Sequence, residues 1–305
     1  MDTMLYILAR AVVSLLQALP LRAVARIGRF GGGAFYLLDA RHRKVATRNL
    51  TLSFPEKPIA TIHALAKENF CRIGENFCCA VKTASMPDEE IAQVMEISGM
   101  EKFYSPKPGQ KLESHIFAIG HFGNFELYAR GSMFAPGYRF ATTYRGLRQP
   151  SLNRLLQSLR EQSGCLFFER RTDADALKTA MNEGSILLGL LSDQSGGDKG
   201  LRLKLFGRDC STGAAAAVLA LRYDCPLFPS ICYRTSLARW RIEVGDAIPT
   251  HFNNQPRPTA DIMQDVNAAF EVAIRKDPAN WFWVHNRWKS LGRASRPVAR
   301  PVVEG

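Results

Sequence analysis

Apolar residues crowd the start of the chain. Across residues 5–38 they are interrupted by Arg10, Pro20, Arg22, Arg26 and Arg29, and the cleanest run, 11–21, is shorter than the ~20 residues a spanning helix needs. Residues 56–82 then take helical spacing, with Leu65, Phe70, Ile73 and Phe77 recurring at steps close to three and four before Pro87. From residue 115 onward, short apolar runs alternate with amphipathic ones. The runs predict strands over 115–120, 139–144, 165–168, 186–191, 227–233 and 239–244. Between them a helix is expected from about Asn124. A second starts at a Ser151 N-cap, with Leu152, Leu155, Leu156 and Leu159 on one face and a stop at Gly164. A third opens with a capping box, Thr172 to Asp175, and ends at Gly184; others cover 214–223 and 262–274. The unbroken apolar run 186–191 suits a strand covered on both faces. The alternation predicts an α/β fold with a largely parallel central sheet flanked by helices. The chain divides into an N-terminal helical segment (1–50), an α/β domain (51–293) and a tail (294–305).

The N-terminal segment carries Asp2 where a secretory signal would carry positive charge, so cleavage is not expected. Directly beyond it lies a basic cluster, Arg41, His42, Arg43, Lys44 and Arg48. If the segment spans a bilayer, these charges put the main domain in the cytoplasm. If it lies flat, they sit against anionic headgroups; a core helical hairpin is the third arrangement. Membrane association at the cytoplasmic face, single-pass or peripheral, is the expectation.

Charge and composition narrow the classes. The 305 residues hold 40 Lys and Arg against 28 Asp and Glu, a net +12 that calls for an acidic partner: nucleic acid, anionic lipid or an acidic substrate. Charged residues are spread along the chain and no helix-turn-helix, RNP or zinc motif is present, which argues against nucleic acid. A mean hydropathy of −0.13 excludes a multi-span membrane protein. The seven cysteines are irregularly spaced without C-x-x-C, so they read as reduced, buried thiols rather than a disulfide or zinc framework.

The sharpest chemical feature is Gly120-His121-Phe122-Gly123-Asn124-Phe125-Glu126, placed where a predicted strand feeds a helix. Ligands of open α/β sheets bind at such carboxyl ends. Within one helix, residues five apart point about 140° away from each other. With His121 before the helix and Glu126 in its first turns, the carboxylate is expected to fold back onto the imidazole. That fixes the tautomer and leaves the other nitrogen as a base for a hydroxyl attacking an ester or thioester. A satisfied structural His–Glu pair is the plainer reading. No G-x-S-x-G, Walker A, H-E-x-x-H or G-x-G-x-x-G motif competes. His115, six residues before His121, lacks the companions of a metal site, so no metal and no cofactor are expected. Trp281, Trp283 and Trp288 with Arg287 and Lys289 suit either a membrane interface or core packing.

Taken in order, these features resemble the lipid A biosynthesis acyltransferases, the lauroyl/myristoyl transferase family of the wider lysophospholipid acyltransferase group. The resemblance rests on His121 and Glu126, Arg48-Asn49-Leu50 with Phe54-Pro55, Tyr144-Arg145, Arg171 and Asp193-Gln194. Phe206-Gly207, Ser211-Thr212-Gly213 and the run from Trp281 to Lys289 complete it. It implies a glycerolipid acyltransferase-like fold and transfer of a fatty acyl chain from an acyl-carrier-protein or coenzyme A thioester to a hydroxyl of a phosphorylated glycolipid, a lipid A precursor. In that reading His121 is the base and Glu126 its orienting partner. Arg145 and Arg171 bind acceptor phosphate or offset oxyanion charge. Gly123, Asn124, Tyr144, Asp193 and Gln194 belong to the substrate pocket. A glycine-rich loop, 195–200, follows Gln194, where relatives differ among themselves; the Glu-Gly-Thr of phospholipid branches is absent, which favours a glycolipid acceptor over glycerophosphate. Two other readings remain: a different glycolipid or aminolipid acceptor, and a non-catalytic lipid-binding scaffold of the same fold.

Overall fold

A computed structural model describes residues 2–104 and 112–289. Two helices, α1 (Asp2–Ala18) and α2 (Leu21–Leu38), follow one another across Pro20, α1 lying against the fourth and sixth helices and α2 packing along the fourth. Helix α3 (Ala40–Ser53) carries the basic cluster, and its first turn is capped by Asp39, whose carboxylate accepts the His42 N–H at 3.0 Å. Helix α4 (Ile59–Thr83) is the longest described, at 25 residues. Helices α2 and α4 approach backbone to backbone at Gly28, Gly32 and Gly74, where any added Cβ would strike the opposite main chain. This close seam leaves much apolar surface unpaired: Phe30 is 81% exposed and Leu38 82%, and Met4, Ile7, Leu8 and Leu15 of α1 also face outward. No described helix is long and apolar enough to cross a membrane.

Beyond α4 the chain runs α5 (Asp88–Ala92), β1 (Met95–Ser98), β2 (His115–Ile119), a 3-10 helix (Phe125–Phe134), β3 (Arg139–Tyr144), α6 (Pro150–Glu161), β4 (Leu166–Glu169), α7 (Ala174–Glu183) and β5 (Ile186–Leu191). It continues with β6 (Leu201–Leu205), β7 (Arg208–Thr212), α8 (Ala215–Arg222), β8 (Leu227–Ser236), β9 (Arg239–Val244) and α9 (Thr259–Lys276). Seven strands form one sheet in the order β1-β9-β8-β2-β5-β3-β4. Strands β8, β2, β5, β3 and β4 are parallel, and β9 returns antiparallel to β8 with β1 parallel beside it. The sheet is therefore largely parallel, as the alternation predicts. Strand β2 is buried at every position because it sits mid-sheet with a neighbour on both sides. Strands β6 and β7 make a separate antiparallel hairpin.

Several local expectations are corrected. The segment after Asn124 is 3-10 rather than α. The N-cap of α6 is Gln149 with Pro150 in the first turn, so Ser151 lies inside the helix. The capping box at Thr172 does not form; Asp173 stands at the N-cap of α7, and its carboxylate accepts the Glu169 N–H at 2.8 Å and the Thr172 hydroxyl at 2.8 Å. Trp281 and Trp283 are buried in the main core rather than presented to a membrane, and Arg287 is buried with them, donating to Ser211 O and to Thr212 Oγ1 at 2.7 Å. All seven cysteines are free thiols. The tail 294–305 lies outside the described residues.

A C-terminal strap, residues 278–285, binds the layers together. Asn49 of α3 donates to the Trp283 and His285 carbonyls at 2.9 and 2.8 Å, and Asn69 of α4 to the Ala279 carbonyl at 2.9 Å and the Trp281 carbonyl. Below it, wholly buried Glu75 accepts from Arg234 at 2.8 Å, Arg29 at 3.3 Å and the Ala238 N–H at 3.0 Å. A buried carboxylate with three donors is compensated; one stripped of them would not be.

Candidate active site

The carboxyl ends of three adjacent strands build the site. His121 follows β2, Ser192-Asp193-Gln194 follows β5, and Tyr144 ends β3. Gly120 lets the chain turn beside the Phe122 ring, which a Cβ would meet at 2.6 Å. Gly123 has φ +52° and a Cβ there would meet Cys232 O at 2.5 Å, so glycine is required twice over.

Asp193, not Glu126, holds the imidazole. Its Oδ1 lies 2.9 Å from His121 Nδ1, while Oδ2 accepts the His121 N–H at 2.9 Å and the Trp281 indole N–H at 2.8 Å. Asp193 is only 2% exposed. Burial alone would push its carboxyl pKa up; the charge of His121 and these hydrogen bonds outweigh burial and hold it below the ordinary value. Nδ1–H is thus committed to the carboxylate, and Nε2 is the nitrogen left to act, with the Gln194 amide nitrogen 3.4 Å away. The rings of Phe125 and Phe282 flank the imidazole at 4.8 and 5.8 Å.

Glu126 is turned to a different partner. It makes a two-point ion pair with Arg160 of α6, at 2.7 Å to Oε1 and 3.2 Å to Oε2. The expected fold-back onto His121 does not form, because the 3-10 segment directs this carboxylate toward α6. Arg160 also stacks over Phe167 at 4.9 Å and Tyr144 at 5.7 Å. Neither Arg160 nor Asp193 as the partner of His121 is singled out by spacing: each comes from an element distant in sequence.

Two cavities meet at His121 and Glu126. The smaller, about 270 Å³, lies among α4, α6 and the strap, with Phe77, Ala80, Leu156 and Phe282 on its wall. The larger, about 560 Å³, runs from a polar mouth down one sheet face past Ile119, Phe117, Phe140 and Leu187. Tyr144, Arg145 and Gln194 line its mouth, together with Arg170, whose Nε donates to Thr143 Oγ1 at 3.2 Å. Gly123 and Asn124 line the smaller cavity. The exposed Arg171 side chain lines neither; its backbone N–H instead donates to Glu169 at 2.6 Å. Cys165 reaches the larger cavity, but burial pushes its thiol up to about 12, which makes it a poor nucleophile. Among the described residues no group of three or more His, Cys, Asp or Glu is placed to hold a metal.

Such an arrangement supplies an imidazole oriented by a buried carboxylate, half-buried itself, between an apolar channel and a cationic mouth. It suits proton removal from a hydroxyl beside an acyl group. The sequence model of the bacterial lipid A biosynthesis acyltransferases matches residues 2–290. The lipid A biosynthesis lauroyltransferase of Escherichia coli (strain K12) is 24% identical over 286 residues, covering 92% of this chain and 89% of that protein.

Proposed function

We propose how this chain, which belongs to the bacterial lipid A biosynthesis acyltransferase family and is an acyltransferase, carries out its reaction: it transfers a fatty acyl group from a thioester of acyl carrier protein or coenzyme A to a hydroxyl of a phosphorylated lipid A precursor. The observation that carries the mechanism is the Asp193–His121 pair, which leaves Nε2 facing the junction of the two cavities.

The acyl chain of the donor lies in the apolar depth of the larger cavity, and acceptor phosphate meets Arg145 and Arg170 at its mouth. The acceptor O–H passes its proton to His121 Nε2 as the oxygen attacks the thioester carbonyl carbon. Asp193 stabilises the imidazolium. The Gln194 amide and the Arg160 guanidinium stand by the developing oxyanion. When the intermediate collapses, the C–S bond breaks and the thiolate takes the proton back from His121. Glu126 sets Arg160 in place rather than orienting the base.

On the same reading the enzyme works at the cytoplasmic face of the inner membrane, with α1 and α2 lying in the interface. The outward apolar side chains of those helices and the basic cluster on α3 beside them support it.

Transfer from labelled acyl-carrier-protein and coenzyme A thioesters to a phosphorylated lipid A precursor tests this directly. His121→Ala is expected to cost roughly 10²–10⁴ in rate while the protein stays folded. No transfer by folded wild type from either donor would redirect the search to other glycolipid or aminolipid acceptors. Equal transfer by both proteins would sink His121 as the base.

A further inference from the structure

We propose that Trp281 is a positioning residue for acyl transfer: its indole N–H locks the carboxylate that orients the base. The role rests on His121 being that base.

The Asp193 carboxylate is out of reach of bulk water, so its orientation is set by protein donors alone. Oδ2 receives two of them, the His121 N–H and the Trp281 indole. With that oxygen anchored twice, rotation about Cβ–Cγ is blocked and Oδ1 is held on Nδ1 at 2.9 Å. Remove the indole N–H and a single donor remains on Oδ2. The carboxylate can then turn, and the tautomer that leaves Nε2 free is no longer enforced.

Trp281 is itself placed with more precision than packing requires. Its carbonyl accepts from Asn69 and its backbone bridges Phe122. The residue before it, Asn280, accepts the Gly123 N–H at 3.2 Å and donates to Cys232 O at 2.9 Å. The ring stands edge-on to Trp283 at 4.7 Å. The strap also contains its own control. Trp283 is equally buried, but its indole N–H goes to Pro278 O at 2.6 Å, closing only a turn of the strap. Two neighbouring buried indoles thus differ in the group each one serves.

The test uses the full chain in lipid vesicles and compares wild type, W281F, W283F, D193N, H121A and the double variant D193N/W281F. Phenylalanine keeps the ring packing and deletes the N–H. W281F is expected to lower kcat roughly ten- to a hundredfold with KM unchanged, the range for a hydrogen bond to a charged group. W283F should stay within about threefold, the double variant should be no slower than D193N, and the effects should therefore not add. Equal losses in W281F and W283F, or additive losses in the double variant, would overturn the proposal in favour of packing. If H121A and D193N are inactive while W281F matches wild type, Trp281 alone loses its role; if H121A and D193N match wild type, the base assignment falls first. Should W281F fail to fold, ¹⁵N-indole spectra of D193N decide. Movement of the Trp281 N–H resonance but not that of Trp283 supports the lock, and an unmoved Trp281 resonance refutes it.

Discussion

Asp193 and Glu126 are two carboxylates close to one site, and they are built in opposite ways. Asp193 is dry, carries three donors and sits at the end of a mid-sheet strand. Glu126 keeps 28% of its side chain exposed, lies on a 3-10 segment and is neutralised by a single arginine from α6. The first environment fixes a geometry and has no room to respond. The second faces both cavities and stays open to whatever enters them. Proximity in sequence favours Glu126, five residues from His121, whereas the fold chooses a residue 72 positions away. Rigidity of the scaffold, more than closeness along the chain, decides which carboxylate holds the imidazole.

The largest effect expected from this contrast is that of Asp193→Asn, which keeps the shape but lets the amide stabilise the wrong tautomer. A loss of roughly 10³–10⁴ in kcat is expected, measured as acyl transfer by folded protein. Glu126→Gln should lose less, about 10–10², and should alter KM as well because Arg160 is released. The reverse order would break the comparison and return the orienting role to Glu126. Smaller again are the arginines at the mouth. Arg145→Ala and Arg170→Ala should each raise KM for the phosphorylated acceptor about three- to tenfold, while Arg171→Ala should stay within about twofold.

The smallest effect is on stability, and it belongs to the dry side. His285 accepts the Ser195 N–H through Nε2 at 3.1 Å, and burial holds its pKa below the ordinary imidazole value of 6.5. Its neutral form is favoured in the folded state, so its contribution is complete above that value and is lost as pH falls through the lowered folded pKa. Buried His115, depressed for the same reason, adds to the slope. The Tm should therefore be flat from pH 8 to about 7 and decline toward pH 5, a window above that of the carboxylates. His285→Gln should shrink the decline without abolishing it; an unchanged slope would remove His285 from the account.

Much of the sheet is legible in the sequence. The run 186–191 coincides with β5 because a strand covered on both faces is apolar throughout, and 239–244 coincides with β9 because Trp240, Ile242 and Val244 alternate with Arg239, Arg241 and Glu243. Short capping signals are not, since Ser151 and Thr172 compete with neighbours whose roles depend on tertiary bonds, such as Asp173 serving Glu169. In the site, His121 announces itself through its glycines and its strand end. Its true partner does not, because Asp193 follows a different strand and becomes adjacent only when β2 and β5 pair. The tryptophans of the strap are equally ambiguous: an indole suits a headgroup layer and a core alike, and only the positions of Asn49 and Asn69 place these rings inside.

The strap also sets a clock. Residues 278–285 leave the ribosome more than two hundred positions after Asn49 and Asn69, yet they pair with both and supply the third donor to Asp193. Until they emerge, the nascent chain holds β2 and β5 but a carboxylate with one donor missing and an open roof over His121. Contacts spanning more than two hundred positions, 234 from Asn49 to Trp283, are the slowest to close. Catalytic competence therefore waits on the strap, and a translation product halted before residue 278 would carry every residue assigned to proton transfer and remain silent.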